Sequence, residues 1–120
     1  IKYLSNGLKN HDKEVDKHFP KDESQVPAFA KAQYINLFET LQEVAELYEL
    51  FSSKKAPKKA LEILVTNINE HSEMVNEIMD DTDYENWTKA EDEHYTGVFY
   101  YDLYKTLEET LEEMKEVKEW

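Results

Sequence analysis

Apolar residues recur along this chain at helical rather than strand spacing. Ile1, Leu4, Leu8, His11, Val15 and His18 step by three and four residues, a narrow stripe on a helix over residues 1–18. Gly7 weakens this helix, and Phe19-Pro20 ends it because the residue before proline is pushed out of the helical region. Residues 20–27 are a polar linker between two prolines.

A second helix is expected from Ala28 to Phe51. Tyr34, Leu37, Phe38, Leu41, Val44, Ala45, Tyr48 and Phe51 form a wide apolar face, and Ile35, Leu47 and Leu50 broaden it, marking this as the most buried helix. After a turn at residues 52–56, a third helix runs from Pro57 to Met79, with Leu61, Leu64, Ile68, His71, Val75 and Ile78 again stepping three and four. The fourth starts at Thr82 or Thr88, each heading a capping-box pattern with Glu85 or Glu91, and extends to Lys118. Its middle, residues 95–104, is apolar or aromatic nearly all round, so at least one of Phe99, Tyr100 and Tyr101 must face away from the core. A bend is expected at Gly97. Trp120 reads as a docked tail or an exposed anchor.

The pattern predicts an all-α protein: one domain over residues 1–120, an antiparallel bundle of four helices with a long C-terminal helix. No internal repeat, low-complexity tract or second domain is evident. No stretch approaches the ~20 apolar residues of a transmembrane helix. Ile1 rather than Met at the start leaves room for a removed leader or anchor, and the compartment stays open.

Composition sharpens the picture. The net charge is −13, and all fourteen basic residues are Lys, which with abundant Asn, Ile and Tyr fits an AT-rich bacterial genome. Arg is the preferred group for bidentate phosphate and guanine recognition, so its absence argues against direct nucleic-acid binding. Residues 1–60 balance nine acids against ten lysines, whereas residues 61–120 carry eighteen acids and four lysines. A field this one-sided points to a basic protein as partner. The absence of Cys removes disulfides, thiolate metal sites and cysteine nucleophiles.

Candidate chemistry concentrates in the second half. Glu70, Glu73, Glu77 and Asp80 form an acidic ridge on the third helix, and Tyr84, Trp87 and Tyr100 add aromatic area suited to interfaces. These seven are the candidate partner-binding residues. With no nucleophile elbow, no phosphate-cradling loop and no distinct acid–base pair, an enzyme is not expected. The leading expectation is a non-enzymatic protein-binding module: an inhibitor or immunity-type protein, an adaptor, or an extracytoplasmic surface-protein domain. A metal-binding bundle is the alternative. Asp81, Asp83, Glu85 and Asp92 fall at positions 1, 3, 5 and 12 of an EF-hand-like calcium loop, but Asn86 at 6 and Lys89 at 9 depart from that pattern. Glu91-x-x-His94 is half of a di-iron bundle signature without its second half. A DNA-mimicking inhibitor, with the acidic ridge standing in for phosphates, is the third reading. Finally, His11, His18 and His71 lie on apolar seams, and facing seams would let them meet and make stability depend on pH near 6.

Overall fold

In the computed structural model, which describes residues 2–52 and 55–117, four helices pack as an all-α bundle. They are α1 (Lys2–His18), α2 (Val26–Leu50), α3 (Lys55–Asp81) and α4 (Lys89–Glu113). Ile1, Ser53, Lys54, Lys118 and Trp120 lie outside the described residues. Among the described residues there is no strand, and no helix is long and apolar enough to cross a membrane.

Local chemistry sets the boundaries. Before α2, Asp22 accepts from the Ser24 backbone N–H at 3.0 Å and heads a single 3-10 turn, Glu23–Gln25. Pro27 then occupies the first turn of α2, where a missing N–H costs nothing. Of the two capping boxes, only Thr88 works. Its hydroxyl accepts from the Glu91 N–H at 3.2 Å, and the Glu91 carboxylate accepts from the Thr88 N–H at 3.2 Å. The Thr82 hydroxyl donates instead to the Ile78 carbonyl and also receives the Trp87 indole N–H at 3.0 Å. Gly97 does not break α4, which runs through it as one helix. The last turn tightens to 3-10 over Met114–Glu116, a common way for terminal carbonyls to find partners.

The core is a column of leucines closed by larger side chains. Leu4, Leu37, Leu41, Leu64, Leu103 and Leu107 are buried with Tyr48 and Met114. α2 packs against all three other helices, and α3 and α4 pack against each other. Ile35, Leu47 and Leu50 nevertheless stay exposed, at 50%, 37% and 74%. The expectation that they extend the buried face of α2 is therefore wrong: at 100° per residue they turn away from Leu37, Leu41, Val44 and Tyr48 and stay open to solvent. The expected seam of α1 holds for Leu4 and His11 but not for His18, which is exposed and pairs with Glu14 at 3.2 Å. Of the adjacent aromatics on α4, Phe99 is buried, Tyr100 half-buried and Tyr101 exposed.

Two buried histidines expose a repeat that the sequence alone conceals. His71 on α3 lies between α2 and α4: its Nδ1 is 2.7 Å from Asp102 Oδ2 and its Nε2 is 2.8 Å from the Tyr34 hydroxyl. His11 on α1 does the same from the other flank, with Nδ1 3.1 Å from Asn36 Oδ1 and Nε2 2.6 Å from the Tyr100 hydroxyl. The roles exchange when the two helical hairpins exchange. Leu4, Leu8, His11 and Val15 correspond to Leu64, Ile68, His71 and Val75 at a shift of 60. Tyr34, Asn36, Leu37, Thr40 and Leu41 correspond to Tyr100, Asp102, Leu103, Thr106 and Leu107 at a shift of 66. The chain is thus two related αα-hairpins, α1–α2 and α3–α4, the second carrying six extra residues between its histidine and its tyrosine.

Candidate functional site

The acidic ridge forms as the sequence implies. Glu70, Glu73, Glu77 and Asp80 are all exposed on the outer face of α3, turned away from its buried His71 and Leu64. Tyr84 and Trp87 stand in the connection that follows, with ring centroids 6.2 Å apart in an edge-to-face arrangement. Trp87 stacks on Tyr95 at 4.6 Å, and its indole N–H is fixed by Thr82. Tyr100 does not join this group. Its hydroxyl reaches His11 on the opposite flank of the bundle.

The ridge borders an apolar groove that periodicity alone did not single out. Tyr34, Ile35 and Phe38 of α2 and Ser72, Val75 and Asn76 of α3 line an open groove of about 410 Å³. Toward the α3–α4 connection, Tyr34 and Ile35 also line a pocket of about 310 Å³ with Met79, Tyr84, Trp87 and Phe99. Because those two α2 residues belong to both, groove and pocket adjoin, and the two together are the α2–α3 channel. Glu39 lines the groove on α2, Glu73 and Asp80 stand one turn either side of its lining residue Asn76 on α3, and the pocket is lined by an ion pair of Asp92 and Lys31 at 3.5 Å. The signal for this channel was present in Ile35, an apolar residue off the core face of its own helix.

Tyr34 is held rigidly at the centre of the channel. Asp102 is acceptor-only when ionised, so His71 carries its proton on Nδ1 and accepts the Tyr34 hydroxyl proton at Nε2. Burial, and next the nearby Asp102 charge, push the Tyr34 phenol up to about 12. This carboxylate–imidazole–phenol row therefore keeps its phenol protonated. The His71 side chain is wholly enclosed with both nitrogens engaged, so the row orients the Tyr34 ring and offers no activated nucleophile.

The residues of the calcium-like loop go separate ways. Asp81 ends α3, and Asp83 adopts the left-handed conformation (φ 52°) while accepting from the Asn86 amide at 2.9 Å. Glu85 is exposed in a 3-10 turn, and Asp92 pairs with Lys31. Among the described residues, no group of three or more His, Asp or Glu side chains is placed to hold a metal ion. Glu91 is spent on the capping box, and His94 is exposed beside the Tyr95 ring.

Comparisons with protein-family models, with curated proteins and with solved structures found no match for this chain.

Proposed function

We propose that this protein is a non-enzymatic protein-binding module that docks a basic amphipathic segment of its partner, in helical form, into the α2–α3 channel. The observation that carries the reading is the coincidence of an apolar floor with an acidic border: Ile35 and Phe38 lie beside Glu39 on one wall, and on the other the lining residue Asn76 has the exposed Glu73 and Asp80 one turn away on α3. A helix presenting leucine- or phenylalanine-sized side chains at i, i+3 and i+7 would fill such a channel, with lysines or arginines meeting the rim. Tyr34, Tyr84 and Trp87 supply the residue types that dominate binding energy at interfaces, and the His71 hydrogen bond removes much of the ordering penalty for Tyr34. The acidic field of the C-terminal half would steer a basic partner toward this side and raise its association rate at low salt.

The test begins with the full chain as bait. A captured protein is identified, purified and titrated against wild type, Ile35→Lys and the Glu73→Lys/Glu77→Lys double variant, at low and at high salt. The proposal requires a loss of affinity of at least about tenfold with Ile35→Lys, and a salt-dependent loss with the charge reversals. A partner indifferent to both sets of substitutions would refute it.

A further inference from the structure

α4 presents a long exposed face. The helix packs against α2 and α3, while α1 lies along α2 and reaches α4 through the His11–Tyr100 and Asp12–Tyr104 hydrogen bonds. Ala90, His94, Gly97, Tyr101, Tyr104 and Glu108 step by four and three residues in turn, the spacing of a coiled-coil seam. All are exposed except the half-buried Tyr104, and Tyr101 stands 72% exposed. At the centre of the face, Gly97, Tyr101, Tyr104 and Lys105 line a groove of about 580 Å³ with Ala30 of α2. Its wall is stiff, because the Tyr104 hydroxyl donates to both oxygens of Asp12 at 3.0 and 3.1 Å.

Charge and size say what fits there. From His94 to Lys105 the only acid is Asp102, and His71 engages it, in a half of the chain that holds eighteen acids. Such a window has little to attract a basic partner and little to repel a second copy of itself. Gly97 has no role within one chain: a Cβ there would meet nothing within 4 Å, yet glycine weakens a helix interior. Two α4 helices laid antiparallel about a two-fold axis level with Phe99 give it one, because each Gly97 then faces Tyr101 of the other copy. In the same register His94 faces Tyr104, ring against ring, and Lys105 comes level with Glu91, Asp92 and Glu93. A parallel pair would instead set Lys105 against Lys105 and Glu108 against Glu108.

We infer that the exposed face of α4 is a homodimer interface, covered by α4 of a second copy running antiparallel. From Ala90 to Glu108 the contact is about 27 Å long. The pairing is isologous, so each complementary contact is made twice. No residue lining the α4 groove also lines the α2–α3 channel, so the inference does not depend on the partner proposed for that channel.

The test follows the full chain by sedimentation equilibrium from micromolar to millimolar concentration, at low and at high salt. A reversible dimer is expected, tighter at high salt because each chain carries a net charge of −13 that added ions screen. Tyr101→Glu should weaken it at least about tenfold. Gly97→Ala should weaken it too, although the isolated chain tolerates that change, and Ile35→Lys should leave it intact. These positions are exposed, and circular dichroism checks that each variant stays folded. The chain has no Cys, so spin labels on Glu108→Cys report the register: about 30 Å apart in the antiparallel pair, about 10 Å in a parallel one. The mass of a single chain under every condition, a dimer indifferent to Tyr101→Glu, or the parallel label distance would overturn the inference.

Discussion

His71 and Asp102 meet across the α3–α4 interface at 2.7 Å, a charge-assisted bond whose donor is wholly enclosed and whose acceptor is partly solvated. Its equivalent in the first hairpin is the bond from His11 to Asn36, at 3.1 Å and without a formal charge. The repeat therefore carries two solutions to one problem: an acceptor on the second helix of a hairpin that fixes an imidazole on the first.

From this comparison Asp102→Asn should be mild. An amide oxygen can still accept from Nδ1, as Asn36 does for His11, so the loss should be about 1 kcal/mol. His71→Leu removes the donor to Asp102 and the acceptor for Tyr34 together, and should cost about 2–4 kcal/mol. Urea unfolding of the two variants would check the ranking. An Asp102→Asn loss as large as that of His71→Leu would contradict it.

Alkali should weaken the fold through its tyrosines. Burial, followed by the Asp102 charge, raises Tyr34 to about 12. Burial, followed by the hydrogen bond to Asp12, raises Tyr104 to about 12. An unfolded tyrosine titrates near 10. Because the folded values lie above the unfolded one, the contribution is fully present below pH 10 and is lost as pH rises from about 10 to 12. Thermal melts across that range should fall in wild type and fall less in the Tyr34→Phe/Tyr104→Phe double variant. Absorbance at the tyrosinate band should show a late-titrating group that disappears with those substitutions.

The two glycines should answer differently to alanine. A Cβ at Gly97 would meet nothing within 4 Å, and glycine inside a helix costs about 0.5–1 kcal/mol relative to alanine. Gly97→Ala should therefore stabilise by that amount. At Gly7 the added Cβ would stand 3.1 Å from Thr40 Cγ2, where α1 and α2 approach closely, so Gly7→Ala should gain less. Paired denaturation curves measure both.

Thr88→Ala should cost about 1 kcal/mol, because it opens the capping box at the start of α4. Thr82 has no such role in heading α4, so the ability of the two positions to accept Ser in place of Thr should be compared at that helix end. Protection of the Glu91 amide against hydrogen exchange should fall in Thr88→Ala and persist in Thr88→Ser.

The four helices were legible because each carries apolar residues recurring at three and four positions, and that signal survives any choice of partner helix. Which stripe residues reach the core was less so. His18 fits the stripe of α1 as well as His11 does, yet it is exposed and pairs with Glu14 on its own helix. The repeat escaped notice because no single offset aligns it: α1 matches α3 at 60 and α2 matches α4 at 66. Three of the identities, Leu4 with Leu64, Leu37 with Leu103 and Leu41 with Leu107, are core leucines, which any bundle contains. The telling matches, Tyr34 with Tyr100 and His11 with His71, gain meaning only once their hydrogen bonds are seen. The acidic ridge was readable from α3 alone, whereas the channel beside it needs two helices at once. Tyr100, grouped by sequence with Tyr84 and Trp87, instead reaches across to His11 of the first hairpin.

The bonds of the two imidazoles also bear on cooperativity. Each histidine uses Nδ1 within its own hairpin and Nε2 on a tyrosine of the other one. Neither hairpin can satisfy its own buried ring unless its sibling is in place and in register. Partial opening, with one hairpin detached and the other intact, would strip a partner from both rings simultaneously. The duplicated halves are thereby crossed over into one melting unit, and the chain should unfold in a single transition despite being built from two similar pieces.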